Sequence, residues 1–173
     1  MLLIAPVAMA SSESVHFNMP LTGYVSASDD EGDSLTASVA LDPVHGSVTL
    51  NADGSYNYTP DSNFVGTDSF DFQVFDGADF SNVATVTISV TNASPTASGA
   101  GGSTEFNTPL MGFVSGADAD GDLLSASVAT DPLHGSVTMS SDGSFVYAPD
   151  IDFAGTDSFG FRFSDGPANS CRL

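Results

Sequence analysis

Two stretches of the chain, 69–75 and 82–90, alternate between apolar and polar residues. A period of two is typical of a β-strand with one face in a core and the other in solvent. Both stretches are rich in Phe, Val, Ile or Thr, which favour strands. We therefore predict two strands here. The side chains predicted to point inward are Phe70, Phe72, Val74, Val86, Ile88 and Val90.

Shorter stretches of the same kind precede these two and are separated by turn residues. Asp42-Pro43 ends one strand, and Asn51-Ala52-Asp53-Gly54 is a hairpin turn in which the glycine supplies the positive φ. The predicted strands are 14–17, 22–27, 35–41, 47–50 and 55–59. Phe64, in the connection 60–68, is expected to close one end of the core. Short strands with turns every 8–12 residues or so predict an all-β Greek-key sandwich.

The whole pattern occurs twice, at an offset of 89 residues. Residues 5–77 align with 94–166 without a gap, and 40 of the 73 aligned positions are identical. An internal repeat of this quality indicates two copies of one structural module. We predict two tandem seven-stranded β-sandwiches: repeat 1 at 5–91, a linker at 92–96 and repeat 2 at 97–166. MLLIAPVAMA aligns with this linker, so we interpret it as linker rather than as a signal peptide.

The second copy stops matching after residue 166. The tail 167–173, PANSCRL, replaces the expected turn and seventh strand, and it contains the single Cys171. We expect repeat 2 to lack its last strand and to expose an unpaired sheet edge, a site for strand addition or aggregation. We interpret the tail as the end of a fragment of a longer reading frame or as a frameshifted end.

The charge of the chain is strongly negative, with 22 acidic residues against two arginines and a formal net charge of −20. Such a chain is repelled by nucleic acid and by anionic membrane surfaces, and it attracts cations. No stretch approaches the roughly 20 apolar residues of a transmembrane helix. We therefore expect no nucleic-acid partner and no direct membrane insertion.

An acidic loop in each repeat has the residue types of a cation site. Asp118, Asp120 and Asp122 stand at alternate positions around Gly121. Calcium takes six to eight or so oxygen ligands, and alternating carboxylates with a glycine for the bend suit it. The loop is not an EF-hand, because counting from Asp118 puts leucine at the sixth position, where that motif has glycine.

The strand order brings further oxygen ligands to this loop. Because successive strands alternate in direction, the loop shares one end of the sandwich with the turn after the sixth strand, which carries Asp165, and with the entering linker, which carries Asn92. We expect ligands from repeat 1 as well, where Asp42, Asp61 and Asp68 lie at the opposite end. The candidate metal ligands are Asp118, Asp120, Asp122 and Asp165 in repeat 2, and Asp29, Glu31, Asp33 and Asp68 in repeat 1.

A second interpretation stays open at this point. Asp-Gly turns produce solvated acidic residues freely, so these loops need not bind metal. Asp68 and Asp157, in the phrase GTDSF, also suit a role as caps of a turn or a strand end.

The ordered phrases ADADGD, HGSVT, DGSF and GTDSF, followed by a Val/Thr strand, resemble bacterial cadherin-like and immunoglobulin-like tandem repeats. The resemblance covers residues 5–166 or so. It implies a β-sandwich, an extracellular or cell-surface (secreted) location, adhesion or spacer duty, and often calcium. Cadherins place a similar Asp-x-Asp loop at the junctions between their repeats.

Catalytic constellations are absent from the sequence. No serine stands in a G-x-S-x-G context, and His45 and His134 occupy equivalent turns without a nucleophile beside them. We expect no enzyme, but a calcium-binding structural or adhesive module of a large bacterial surface or secreted protein. Its expected partners are neighbouring repeats of the same chain and cell-surface or matrix glycans. The alternatives are a carbohydrate-binding module, for which Phe75 and Phe80 are the candidate exposed aromatics, and a passive spacer without metal.

Overall fold

The computed structural model describes residues 4–169. All of the helix or strand structure in this range is β-strand. The chain divides into unit 1, Met1–Thr91, and unit 2, Asn92–Leu173. No helix of the length and apolarity that a membrane crossing needs occurs among the described residues. The predicted all-β class is confirmed.

Unit 1 is a sandwich of two sheets. Its strands are β1 (Val7–Met9), β2 (Ser11–His16), β3 (Leu21–Tyr24), β4 (Ser26–Ser28), β5 (Thr36–Leu41), β6 (Gly46–Leu50), β7 (Ser55–Pro60), β8 (Gly66–Phe75) and β9 (Ala84–Thr91). One sheet has the order β2-β9-β8-β5 and the other β3-β7-β6, while β1 and β4 form a two-stranded ribbon. The β2–β9 pair is parallel and the other pairs in unit 1 are antiparallel.

One predicted strand is split and another begins earlier than predicted. The predicted strand 14–17 corresponds to β2, which begins at Ser11. β1 lies in the stretch interpreted as linker and was not predicted; it pairs with β4, whereas β2 pairs with β9. The predicted strand 22–27 becomes β3 and β4, separated by Val25, whose backbone N–H donates to Gly54 O at 2.9 Å. With β1 set aside and β3 and β4 counted as one, unit 1 has the predicted seven strands.

The core of unit 1 lies between the two sheets. The predicted alternation in β8 and β9 is confirmed, because all six inward side chains are at most 2% exposed. Tyr56 and Tyr58 of β7 face them from the other sheet, and Phe64 packs on the edge of the cluster. Burying each large apolar side chain contributes about 1.5–3 kcal/mol, so these two strands supply a large share of the driving force.

Unit 2 repeats much of this arrangement. Its strands are β10 (Thr96–Ser98), β11 (Leu110–Phe113), β12 (Ser115–Ala117), β13 (Ser125–Thr130), β14 (Gly135–Met139), β15 (Ser144–Pro149) and β16 (Gly160–Ser164). They pair as β11-β15-β14, β13-β16 and β10-β12. The core is smaller and consists of Val114, Ala126, Phe145, Phe161 and Phe163.

Unit 2 has no counterpart of β9 among residues 4–169, as predicted. Of the tail, Asn169 forms an isolated bridge with Ser164. Residues 170–173, with Cys171, lie outside the described part of the chain.

Candidate metal centre

The loop between β12 and β13 is folded around one carboxylate oxygen. Asp118 Oδ1 accepts hydrogen bonds from the backbone N–H groups of Asp120, at 2.8 Å, and Asp122, at 3.4 Å. Gly121 adopts a φ of +84°, which residues with a Cβ rarely reach. Oδ1 thus holds the backbone of the loop, while the second oxygen of Asp118, Oδ2, is buried.

A third carboxylate joins this loop from the turn after β16. Asp118, Asp122 and Asp165 each offer a carboxylate oxygen, and these oxygens lie within 4.8 Å of one another. Asp165 Oδ1 accepts from the backbone of Ala168 at 2.8 Å, which fixes the turn. The structure thus brings together three of the predicted ligands, from positions 47 residues apart in the sequence (118 and 165).

The segment that enters unit 2 contacts the same cluster. Asn92 donates from Nδ2 to Asp165 Oδ2 at 3.0 Å. The backbone N–H of Ala93 donates to Asp120 Oδ2 at 2.6 Å. The exposed Asp120 therefore anchors the entering chain, while Asp118 and Asp122 point towards Asp165.

The oxygen atoms of the cluster that are shielded from solvent without a hydrogen-bond donor include Asp118 Oδ2 and Asn92 Oδ1. A buried charged oxygen without a partner is costly, and carboxylates this close repel each other. A cation would remove both penalties, and the donor set of carboxylate and amide oxygens is the one that calcium prefers. The residues present therefore fit calcium.

Unit 1 builds its acidic loop in the same way. Asp29 Oδ1 accepts from the backbone of Glu31 at 2.9 Å and of Asp33 at 3.0 Å, and Asp29 Oδ2 is buried without a donor. Asp29, Glu31 and Asp33 have ligand atoms within 4.8 Å of one another. The N–H of Ile4 donates to Glu31 Oε2 at 2.9 Å, as Ala93 does to Asp120 in unit 2.

The two acidic loops differ in the residues that other segments of the chain bring to them. Asp76, which aligns with Asp165, accepts from the backbone of Ala78 and Asp79, at 2.7 and 2.8 Å, through one oxygen. Hydrogen bonds from Asp79 and Ala78 lower the pKa of Asp76. The position that aligns with Asn92 is Leu3, which brings no amide oxygen.

Asp68 has a different environment from the other candidate ligands. It is 5% exposed and accepts from Tyr58 Oη at 2.8 Å and from the backbone N–H groups of Val44, His45 and Ser69 at 2.9–3.0 Å. Burial alone would raise its pKa, but the hydrogen bonds, Tyr58 first, outweigh burial and the pKa is lowered. Both oxygens are occupied by protein donors, so the geometry favours the cap of the turn at 44–45 over a metal ligand.

Asp157 repeats this arrangement in unit 2. It accepts from Tyr147 Oη at 3.0 Å and from the backbone of Leu133, His134 and Ser158. Its pKa is likewise lowered, because these hydrogen bonds outweigh burial. The alternation of inward and outward side chains along β8 could have identified Asp68 as a buried cap, since it shares the inward face with Phe70, Phe72 and Val74.

The aromatic residues considered for carbohydrate contact lie at the turn after β8. Phe80 is 56% exposed, and its ring centroid is 4.8 Å from that of Phe75. The two rings are inclined at 39°, so they pack on each other rather than form a flat platform.

Comparison with known families agrees with the two-unit architecture. The model of the bacterial Ig domain matches residues 4–89, and that of the bacterial cadherin-like domain matches residues 92–171. Together they cover nearly the whole chain. Residues 4–89 are thus identified as a bacterial Ig domain and residues 92–171 as a bacterial cadherin-like domain. A search of the curated proteins found no match.

Solved structures with these folds resemble the tandem repeats at low identity. Human protocadherin-24 EC1-2 is 13% identical, with 99% of this chain and 94% of that chain covered and a TM-score of 0.45. Protocadherin gammaB7 EC3-6 is 15% identical, with 98% and 46% covered and a TM-score of 0.48. An endo-fucoidan hydrolase of glycoside hydrolase family 107 is 21% identical, with 96% and 28% covered and a TM-score of 0.40. The chain thus spans less than a third of that hydrolase.

Proposed function

We propose that this chain is a calcium-binding structural repeat module of a bacterial surface or secreted protein. One observation carries the proposal. Asp118 Oδ2 and Asn92 Oδ1 are shielded from solvent without a donor, in a cluster that also contains Asp122 and Asp165. A site of this kind is strained without a cation and satisfied with one.

In the proposed site, Asp118, Asp122 and Asp165 supply carboxylate oxygens and Asn92 supplies an amide oxygen. Calcium coordinates six to eight oxygens or so at flexible geometry, so bidentate carboxylates and water complete its shell. Magnesium demands a compact octahedron and keeps several of its waters. We therefore expect the site to prefer calcium.

The ligands come from the beginning and the end of the unit 2 sequence, because Asn92 precedes its first strand and Asp165 follows its last described strand. A cation held by both closes a long segment of chain in the folded state. Since the unfolded chain lacks this arrangement, binding adds its free energy to the stability of the fold. The proposed role of calcium is thus to hold the repeat in one conformation.

The loop of unit 1 is a second, weaker site in this proposal. Asp29 presents the same shielded Oδ2, but the amide oxygen is replaced by Leu3 and Asp76 is held by two backbone N–H groups. The loop acids Glu31 and Asp33 complete its ligand set. Fewer oxygen ligands lower the affinity of such sites.

The surface or secreted location, and adhesion through cell-surface or matrix glycans, belong to the same proposal. The matches to the bacterial Ig and bacterial cadherin-like domains support the surface or secreted location, because repeats of these families are typically extracellular or on the cell surface. A glycan array with and without calcium tests the adhesive part. The expected result is calcium-dependent retention, and the absence of any glycan-bound signal would reduce the proposal to a structural spacer.

Thermal unfolding tests the metal site. Calcium at one hundred times its dissociation constant stabilises a folded state by about 2.7 kcal/mol. We expect calcium to raise the unfolding temperature of the wild type but not that of unit 2 in Asp118→Asn. Asp142→Asn is the matched control, because Asp142 is an exposed turn acid that accepts hydrogen bonds from the backbone N–H and the hydroxyl of Ser144. An equal calcium response in Asp118→Asn and the wild type would contradict the proposal.

A further inference from the structure

Two aromatic residues lie side by side at the turn after β8 in unit 1. Phe75 is the last residue of this strand, and Phe80 forms an isolated bridge with it. Their ring centroids are 4.8 Å apart, and Phe80 is 56% exposed. Phe75 thus supports the Phe80 ring from one side, while more than half of the Phe80 side chain stays in contact with solvent.

The fold does not require an aromatic pair at this turn. Unit 2 builds the same turn with Ser164 and Asn169, which form the same isolated bridge. The backbone hydrogen bond that closes the turn also recurs, at 3.3 Å in unit 1 and 3.4 Å in unit 2. Because the turn forms with polar residues as well, the exposed rings of unit 1 indicate a role in binding rather than in folding.

Polar side chains adjoin the aromatic pair on the outward face of the sheet. Inward and outward residues alternate along β8, so Gln73 and Phe75 point away from the core. Their cross-strand partners on β5 are Ser38 and Thr36. This face therefore combines an amide and hydroxyl groups with an exposed ring. We call these residues, together with Phe80, the aromatic patch.

We propose that the aromatic patch of unit 1 binds a neutral glycan. The C–H face of a sugar ring packs on the exposed side of Phe80, and Gln73, Ser38 and Thr36 exchange hydrogen bonds with the sugar hydroxyl groups. Although the two phenylalanines do not form one flat platform, a single exposed ring is enough for one sugar ring. The proposal rests on the adhesive part of the proposed function and supplies its binding site.

The charges around the patch select a glycan without acidic groups. No member of the patch is charged, but Asp71 precedes Gln73 on the same face of β8, and Asp76 and Asp79 stand in the adjoining turn. The whole chain carries −20. Sulfated and uronic-acid sugars are repelled by these carboxylates, whereas neutral sugars are not.

The size of the patch favours a short oligosaccharide over a protein. A stable protein interface takes about 800 Å² and roughly 20–30 residues from each partner. The aromatic patch consists of a few side chains around one exposed ring. A second copy of this chain is disfavoured further, because two chains of −20 repel each other.

A glycan array probed with the labelled full chain tests the proposal. The array carries neutral, sulfated and uronic-acid oligosaccharides, and the buffer contains calcium. We expect retention on neutral glycans and at least about tenfold weaker retention of Phe80→Asn, because the ring that packs on the sugar is lost. This variant carries the residue that unit 2 uses in the same turn, so the fold is kept. Phe113→Asn is the matched control and should bind as the wild type does, because Phe113 is 58% exposed but lies in β11 of unit 2.

Phe80→Trp gives a second readout that reports on the site itself. The chain contains no tryptophan, so the introduced side chain is the sole source of tryptophan fluorescence. It also keeps an aromatic ring at this position. We expect a neutral oligosaccharide retained on the array to change the emission of Phe80→Trp saturably.

The outcomes separate this site from the proposed function. Equal retention of Phe80→Asn and the wild type would overturn the site and leave glycan adhesion standing. No retention on any glycan would overturn both the site and the adhesive part of the proposed function, while calcium binding is measured separately. Retention on sulfated or uronic-acid glycans alone, or saturation of the Phe80→Trp emission by oligolysine but not by a neutral oligosaccharide, would overturn the assignment to neutral glycans.

Discussion

Tyr58 Oη donates a hydrogen bond of 2.8 Å to Asp68 Oδ2 inside unit 1. The same pair occurs in unit 2 as Tyr147 and Asp157, at 3.0 Å. In both units the carboxylate also accepts hydrogen bonds from two consecutive backbone N–H groups of a turn. This turn lies between β5 and β6 in unit 1 and between β13 and β14 in unit 2. In unit 1 the carboxylate of Asp68 thereby joins β8 of one sheet to β7 of the other and to the turn between β5 and β6.

Replacing Asp68 by asparagine should destabilise unit 1. The variant turns one accepting oxygen into a donor that faces backbone N–H groups or the Tyr58 hydroxyl. Leaving buried groups unpaired costs about 1–3 kcal/mol, and more for charged ones. Urea unfolding of Asp68→Asn and the wild type measures the difference. Asp53→Asn is the control, because Asp53 accepts only from Ser55 in an exposed turn. If both variants unfold at the same midpoint, the buried pair has no stabilising role.

The contribution of Asp68 should depend on pH. Its folded pKa is lowered, so its stabilising effect is complete above the ordinary pKa of about 4 and is lost as the pH falls through the lower folded value. The pKa of Tyr58 is raised, by burial first and then by Asp68, so the folded hydroxyl stays neutral beyond the ordinary pKa of about 10. Its stabilising effect is complete below about pH 10 and is lost as the pH rises through the higher folded value.

The unfolding free energy of wild type minus that of Asp68→Asn isolates this effect from the other carboxylates. We expect the difference to be constant between about pH 5 and 9 and to shrink below about pH 4. A difference that grows on acidification would contradict the lowered pKa.

The strand pattern and the repeat made most of unit 1 predictable from sequence. The alternation in β8 and β9 identified the inward side chains because each of these strands buries one face. The split at Val25 was not predictable, because it depends on the pairing of β4 with β1 and on the hydrogen bond to Gly54, which are tertiary contacts. The start of β2 at Ser11 was missed for the same reason. Its sequence SSESVH is polar, and its partner β9 lies more than seventy residues away.

The metal site was predictable in part. Loop position brought Asp118, Asp122 and Asp165 together as expected. The alternation along the strand places Asp68 on the inward face, and the sequence shows this. Its four hydrogen-bond donors come from three separate segments, which cannot be read from the sequence. The expectation that repeat 1 supplies ligands to the loop of repeat 2 stays a prediction.

Replacing Asn92 by leucine should weaken calcium binding in unit 2. The variant removes the shielded Oδ1 and the contact to Asp165, and it gives unit 2 the residue of the equivalent position in unit 1. Loss of even an outer-shell partner typically lowers metal affinity by about 10–100-fold, so loss of this oxygen ligand should cost at least as much. Calcium titration measures the change. Asn92→Asp, which keeps an oxygen at this position, should bind within a few-fold of the wild type, and equal weakening in both variants would argue against the ligand role.

Replacing Gly121 by alanine should strain the loop. Gly121 has a φ of +84° and open space around an added Cβ, so the strain comes from the backbone alone. We expect a loss of about 1 kcal/mol in the calcium-free protein, since residues with a Cβ rarely adopt this conformation. Gly101→Ala is the matched control, because Gly101 also has open space but no positive φ. Differential scanning calorimetry compares the two, and equal stabilities would contradict the left-handed conformation at Gly121.

Backbone hydrogen exchange should differ between equivalent segments of the two units. Residues 66–70 pair with β9 and should exchange slowly, whereas the aligned residues 155–159 should exchange within the dead time of manual mixing. Peptic fragments of the two segments can be compared in one experiment. Equal protection would show that residues 155–159 are paired in solution as residues 66–70 are.

The central claim is that Asp118 and its neighbours bind calcium, and calorimetric titration of the chelator-treated full chain tests it most directly. We predict two sites, the tighter in unit 2. Asp118→Asn should remove the tighter site and Asp29→Asn the weaker one, while Asp142→Asn retains both. No binding heat at millimolar calcium, or an isotherm that is the same in the wild type and in Asp118→Asn, would contradict the account.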